Sequence, residues 1–203
     1  MPCTDAQPGP DRGNLDANNV VRAAVVALDD QRELWFYTYH LGKRRLAGVR
    51  IYASSEKYSG PTKSGFDMTL EQLEALLPML TRLSREVEEG LVVPPVEFGR
   101  IPAGKDSEWI VQVLEGQALS EVFYLDIRKH VTSESYVGFT KKGLRVELDW
   151  IDALVANLPA LCESLEAWRE GRWGLFADDE PAEPSATDHD APDAVPDEYR
   201  EFF

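Results

Sequence analysis

The chain has 203 residues, 43% of them hydrophobic, and carries 36 acidic groups against 21 Lys and Arg for a formal net charge of −15. This is enough apolar side chain to bury a core as one domain or two small ones. No apolar run approaches the ~18 residues of a spanning helix. The opening stretch MPCTDAQPGPDRGNLDANN has neither a basic start nor an apolar segment to act as an export signal. A cytoplasmic protein is therefore expected, nucleoid-associated if the source is bacterial. Cys3 and Cys162 are too few and too far apart for a disulfide framework or a cysteine zinc site.

In chain order, residues 1–18 are rich in Pro, Gly, Asn and Asp without periodicity and read as a disordered arm. Three stretches of strand composition follow at 20–28, 33–40 and 46–53, separated by the turn-like DDQR and LGKRR, and a fourth short strand is expected near 63–68. The period then changes. Leu70, Leu73, Leu77, Leu80, Leu83 and Val87 fall at helical spacing, Thr69 and Gln72 form a capping box, and Gly90 stands where a helix stops. The plan recurs with strands near 96–101, 108–114, 121–131 and 138–148 and a helix from Ile151 to Trp168 that ends near Gly171. Pro78 and Pro159 fall inside the two helices and predict a kink in each. From about residue 177 a Pro-interrupted acidic segment reads as a disordered tail, and residues 178–203 hold ten carboxylates against Arg200 alone.

The two halves correspond residue by residue. At a shift of 78 positions, Arg50 meets Arg128, Tyr58 meets Tyr136, Gly60 meets Gly138, and Thr62, Lys63 and Gly65 meet Thr140, Lys141 and Gly143. GPTKSGFDMTLEQL thus returns as GFTKKGLRVELDWI. The pattern predicts an α+β fold of two ββββα repeats, 19–90 and 91–176, forming a pseudo-symmetric domain of two antiparallel sheets with packed helices.

Charge follows the repeat. Lys43, Arg44, Arg45, Arg50, Lys57 and Lys63 in the first half, and Arg128, Lys129, Lys141, Lys142 and Arg145 in the second, lie on strands and their loops, while the helices are acidic. Two basic surfaces at equivalent positions are the footprint of phosphate-backbone binding, though a solvated face has the same composition. Tyr124 alternates onto the face of Arg128, and Tyr58 and Tyr136 stand in the loops before the corner as candidate stacking platforms; Trp35, Tyr37 and Tyr39 share a face that fits either a platform or a core. His40, His130 and His189 are scattered, with no metal-ligand spacing, phosphate loop or nucleophile motif, so neither an enzyme nor a metal or other cofactor is expected.

FYLDIRKHVTSESYVGFTKKGLRVELDWIDAL resembles the single-stranded-DNA-binding domain of the positive cofactor 4 family, and VRIYASSEKYSGPTKSGFDMTLEQLEAL is similar to it. Two copies in one chain also resemble the Whirly and purine-rich-element-binding proteins. The resemblance implies facing sheets that bind unpaired strands, with Arg50, Lys63, Arg128, Lys141 and Lys142 toward the nucleic acid. Ser64 and Gly48 depart from the second copy's Lys142 and Asp126, which implies weaker binding by the first copy. The ending DEYREFF resembles the tails of bacterial and phage single-strand-binding proteins, implying that Tyr199, Phe202 and Phe203 recruit replication or repair proteins or compete for the basic groove. The expected function is therefore largely sequence-independent binding of single-stranded DNA in replication, recombination, repair or transcription. RNA as ligand, self-association, a regulator of melted promoter DNA and a protein-interaction module without nucleic acid stay open.

Overall fold

The computed structural model describes residues 20–41, 43–116 and 122–172. Its strands are β1 (Val21–Ala27), β2 (Arg32–Leu41), β3 (Arg44–Ser54), β4 (Ser59–Met68), β5 (Val96–Gly104), β6 (Ser107–Glu115), β7 (Phe123–Ser133) and β8 (Tyr136–Glu147). Helix α1 (Leu70–Glu88) follows β4, and α2 (Ile151–Arg169) follows β8 through a single 3-10 turn. All eight strands belong to one antiparallel sheet in the order β1-β2-β3-β4-β8-β7-β6-β5.

This overturns the expected α+β domain of two ββββα repeats with a sheet apiece. The molecule is mostly β, and its halves share one continuous sheet because β4 and β8 pair antiparallel through Gly65 and Gly143. An isolated four-stranded sheet would leave both edges of that strand pair unsatisfied, and joining them removes two exposed edges at once.

The helices complete the merger by crossing over. α2 packs on β1, β2 and β3, whereas α1 packs on β5, and the two helices pack on each other. Gln72 and Arg82 of α1 donate to the Pro102 and Phe98 carbonyls of β5, Phe66 meets Trp109 edge to face, and Ser84 of α1 reaches Asp152 of α2. A single apolar cluster therefore runs through both halves, from Leu34, Phe36 and Val49 to Val111, Leu125 and Ile127, roofed by leucines of both helices. Leu73, Leu76, Leu80 and Leu83 lie fully inside it; each such leucine contributes roughly 1.5–3 kcal/mol of burial. α1 begins at the reciprocal Thr69–Gln72 capping box, and Gly90 and Gly171 follow the helices at φ +67° and +70°, the left-handed stop that glycine allows. Pro78 and Pro159 lie inside unbroken helices.

The repeated corner has a mechanical explanation. Tyr58 and Tyr136 each bend back so that the phenol donates to a carbonyl three residues on, that of Pro61 or Phe139. The ring lies against Gly60 or Gly138, where a Cβ would stand 3.1 Å from the phenol oxygen. Thr62 Oγ1 donates to the Ile51 carbonyl at 2.8 Å and accepts from the Ser64 N–H, and Thr140 Oγ1 does the same with Lys129, at 3.0 Å, and Lys142. These bonds fill register shifts after Arg50 and Arg128, where β4 and β8 carry extra residues. Thr62→Val and Thr140→Val are each expected to cost about 1 kcal/mol, the value of one hydrogen bond with its partner left wanting. Urea unfolding midpoints measure it, and unchanged midpoints would mean the hydroxyls do not hold the bulges.

Candidate nucleic-acid interface

Both helices cover one face of the sheet. The other face carries Trp35, Tyr37, Gly48, Arg50, Tyr52, Gly65 and Asp67 in the first half, and Arg128, Asp126, Gly143, Arg145, Ile110 and Gln112 in the second. Across its centre, paired positions read Arg50, Gly65, Gly143, Arg128. The two arginines thus flank a floor without side chains, three strand spacings or roughly 14 Å apart.

The first half of this face is closed on itself. Trp35 stacks on Tyr52 at 3.7 Å between centroids, and the Arg22 guanidinium lies 3.9 Å over the Trp35 ring. Beside this stack, Arg50 Nε donates to the Tyr37 hydroxyl, which donates to Asp67, and Arg50 Nη2 pairs with the same carboxylate at 3.0 Å. Gly48 makes this possible, because a Cβ there would stand 2.4 Å from Cζ of Tyr37 and 2.7 Å from Asp67 Oδ1. Burial first, then the Asp67 charge, raises the Tyr37 phenol and pushes Tyr39 up to about 12, so both remain neutral hydroxyls at neutral pH. Trp35, Tyr37 and Tyr52 are accordingly 5%, 1% and 2% exposed.

The second half is built differently. Asp126, only 1% exposed, accepts from Gln112, Arg128 and Arg145 at 3.0, 2.8 and 2.9 Å. At the matching positions the first half has Gly48 in place of Asp126 and Asp67 in place of Arg145. One carboxylate thus balances one arginine in the first half and faces two in the second. Along the β7–β8 hairpin, Tyr136, Val137 and Phe139 are exposed, with Phe139 edge-on to His130 at 5.2 Å. Lys141 and Lys142 are exposed beside them.

Against the residues expected from sequence, Arg44, Arg50, Tyr124, Arg128 and Arg145 lie on the open face, and Lys43, Lys57 and Lys63 are exposed on its turns and bulge. Arg45 does not. It points to the helix side, 5% exposed, where Nη2 donates to Thr38 and Thr38 meets Ser164 of α2. Burial lowers its guanidinium to about 10, which leaves it charged at neutral pH. Lys129 lies opposite Trp109, a core residue, and so also on the helix side. Tyr58 is half-buried and serves as a hairpin clamp, as Tyr136 does while keeping an exposed ring. Tyr199, Phe202 and Phe203, His189, Cys3 and the terminal segments read as disordered lie outside the described residues.

Phe139 was legible only as a difference between the copies, standing where the first has Pro61. Among the described residues no cluster of three or more His, Cys, Asp or Glu could hold a metal, and no helix is long and apolar enough to cross a membrane. Comparison with protein-family models and with curated proteins returned no match.

Proposed function

We propose that the chain is a binding protein for single-stranded nucleic acid, DNA in the first instance, and that the strand lies across the open face of the sheet. The observation that carries this reading is the second half of that face. Arg128 and Arg145 share the single Asp126 carboxylate there, the ring of Phe139 is open on the same face, and Lys141 and Lys142 are exposed on the adjoining bulge. Cations track phosphates, and accessible rings stack on unpaired bases for roughly 1–3 kcal/mol each, without a demand on sequence. The first half contributes less, since its rings are already stacked and Arg50 is already paired. The acidic ending with Tyr199, Phe202 and Phe203 serves partner recruitment in replication or repair, or competes for the same face. A role at melted promoter DNA uses the same contacts.

The test is fluorescence anisotropy of a labelled poly-dT strand, with duplex and RNA competitors, on the full chain and on a chain ending at Phe176. Binding is expected to be selective for single strands and to weaken with salt at a log–log slope near −2, about 0.7 for each of three phosphates. Changing Lys141 and Lys142 together to Glu is expected to weaken it by about tenfold or more, and Lys63→Glu by a few fold. No binding at low salt would sink the proposal. It would favour a protein-interaction module, a reading supported by the engagement of Arg50, Arg128 and Arg145 with carboxylates.

A further inference from the structure

Among the described residues the sheet ends at two edge strands, β1 and β5, and they are unlike. β5 is defended. Its nine residues include Glu97, Arg100 and Pro102 and two register shifts against β6, Arg100 is clamped between Glu97 and Glu108, and Gln72 and Arg82 of α1 occupy two of its carbonyls. Proline, charge, bulges and covering side chains are the devices that stop an edge from accepting another strand. β1, VRAAVVA, has one register shift, between Arg22 and Ala24, but no Pro, no Lys and no carboxylate, and Val21 and Val25 are 41% and 42% exposed. A strand of this composition on an open edge is a template for pairing.

We propose that β1 pairs antiparallel with β1 of a second copy of this chain, joining two sheets edge to edge in a closed dimer. Charge complementarity selects the occupant. Arg22 stands near the start of β1, while exposed Asp29 and Asp30 stand just past its end. Antiparallel self-pairing about Val26 matches Val25 with Ala27 within the strand and brings Arg22 of each copy toward Asp30 in the turn of the other. Two symmetry-related ion pairs then bracket an apolar ladder. Asp29 already accepts from the Gln31 and Arg32 N–H groups and from the Arg32 guanidinium, which leaves Asp30 as the outward partner. The contact is isologous, and with β5 defended it stops at two copies. This assembly rests on the edge chemistry alone and is independent of nucleic-acid binding.

Sedimentation velocity of the full, nucleic-acid-free chain over a wide concentration range tests it. The expected result is a monomer–dimer equilibrium whose upper limit is twice the 22.8 kDa chain mass. Val25→Lys, at an exposed position, is expected to raise the dimer dissociation constant by about tenfold or more without changing the urea midpoint at low concentration. Arg22→Asp is expected to weaken the dimer as well, and adding Asp30→Arg to restore it, a rescue that loss of the Trp35 contact alone does not predict. A chain that stays monomeric throughout overturns the proposal, whether a different strand covers β1 or none does. A dimer indifferent to Val25→Lys and to the charge swap overturns it equally.

Discussion

Alanine at Gly65 or at Gly143 is expected to lower the unfolding free energy by about 3 kcal/mol, the upper range for forcing extra volume into a site that cannot relax. A Cβ at Gly65 would stand 2.5 Å from the Val49 carbonyl oxygen and 2.9 Å from the Arg50 Cα; at Gly143 the same distances apply to Ile127 and Arg128. The atoms in the way are backbone, so no rotamer change relieves the contact. Moving either strand disturbs the Gly65–Gly143 pair, through which β4 meets β8 and the halves become one sheet. Gly90→Ala is the control. Nothing lies within 4 Å of its added Cβ, and only the φ of +67° opposes it, for about 1 kcal/mol. Urea denaturation of the three variants measures the difference. If all three lose the same small amount, the central strands yield more easily than their packing implies.

Asp126→Ala is the second large effect, about 3 kcal/mol, at the low end of what breaking a buried ion pair costs, because the stranded arginines keep some access to water. The carboxylate is 1% exposed, whereas the side chains of Arg128 and Arg145 are 31% and 46% exposed. Its removal leaves two guanidinium groups facing each other and the Gln112 amide without its acceptor. In the first half, Asp67→Ala is expected to cost about 1 kcal/mol, since that carboxylate is 29% exposed and holds one arginine and one phenol. Asp126→Asn separates stability from binding. It keeps the shape and removes the charge, so poly-dT affinity at low salt is expected to rise by a few fold while the urea midpoint falls. If affinity drops with stability, the carboxylate orients the arginines for the strand.

Much of the local structure could be read without coordinates. The change from alternating to helical spacing at Leu70, the Thr69–Gln72 box and the stop at Gly90 are short-range signals, and each of those features is present in the helix they describe. The repeated corner could be seen as a repeat but not understood as one. It looked like a basic loop aimed at phosphate, yet Tyr, Gly, Thr and Gly within it hold a bulged strand in place, and its lysines are exposed beside them. Arg45 illustrates the limit from another direction. It stands among Lys43 and Arg44 in a basic run, and alternation along β3 turns it to the face that α2 covers.

By itself, then, the sequence determined the order of strands and helices, the helix ends, and the correspondence between the halves, because capping, periodicity and turn chemistry act over a few residues. Only the tertiary structure decided that there is one sheet and not two, that each helix crosses to the other half, and which rings are open to a ligand. These outcomes depend on which strand edges meet and which faces the helices cover, and such pairings join residues nearly eighty positions apart, as Gly65 and Gly143 are. The same reason separates the two aromatic groups. Trp35 and Phe139 are both aromatic side chains on strands, but one is stacked between Arg22 and Tyr52 and the other stands open at a hairpin.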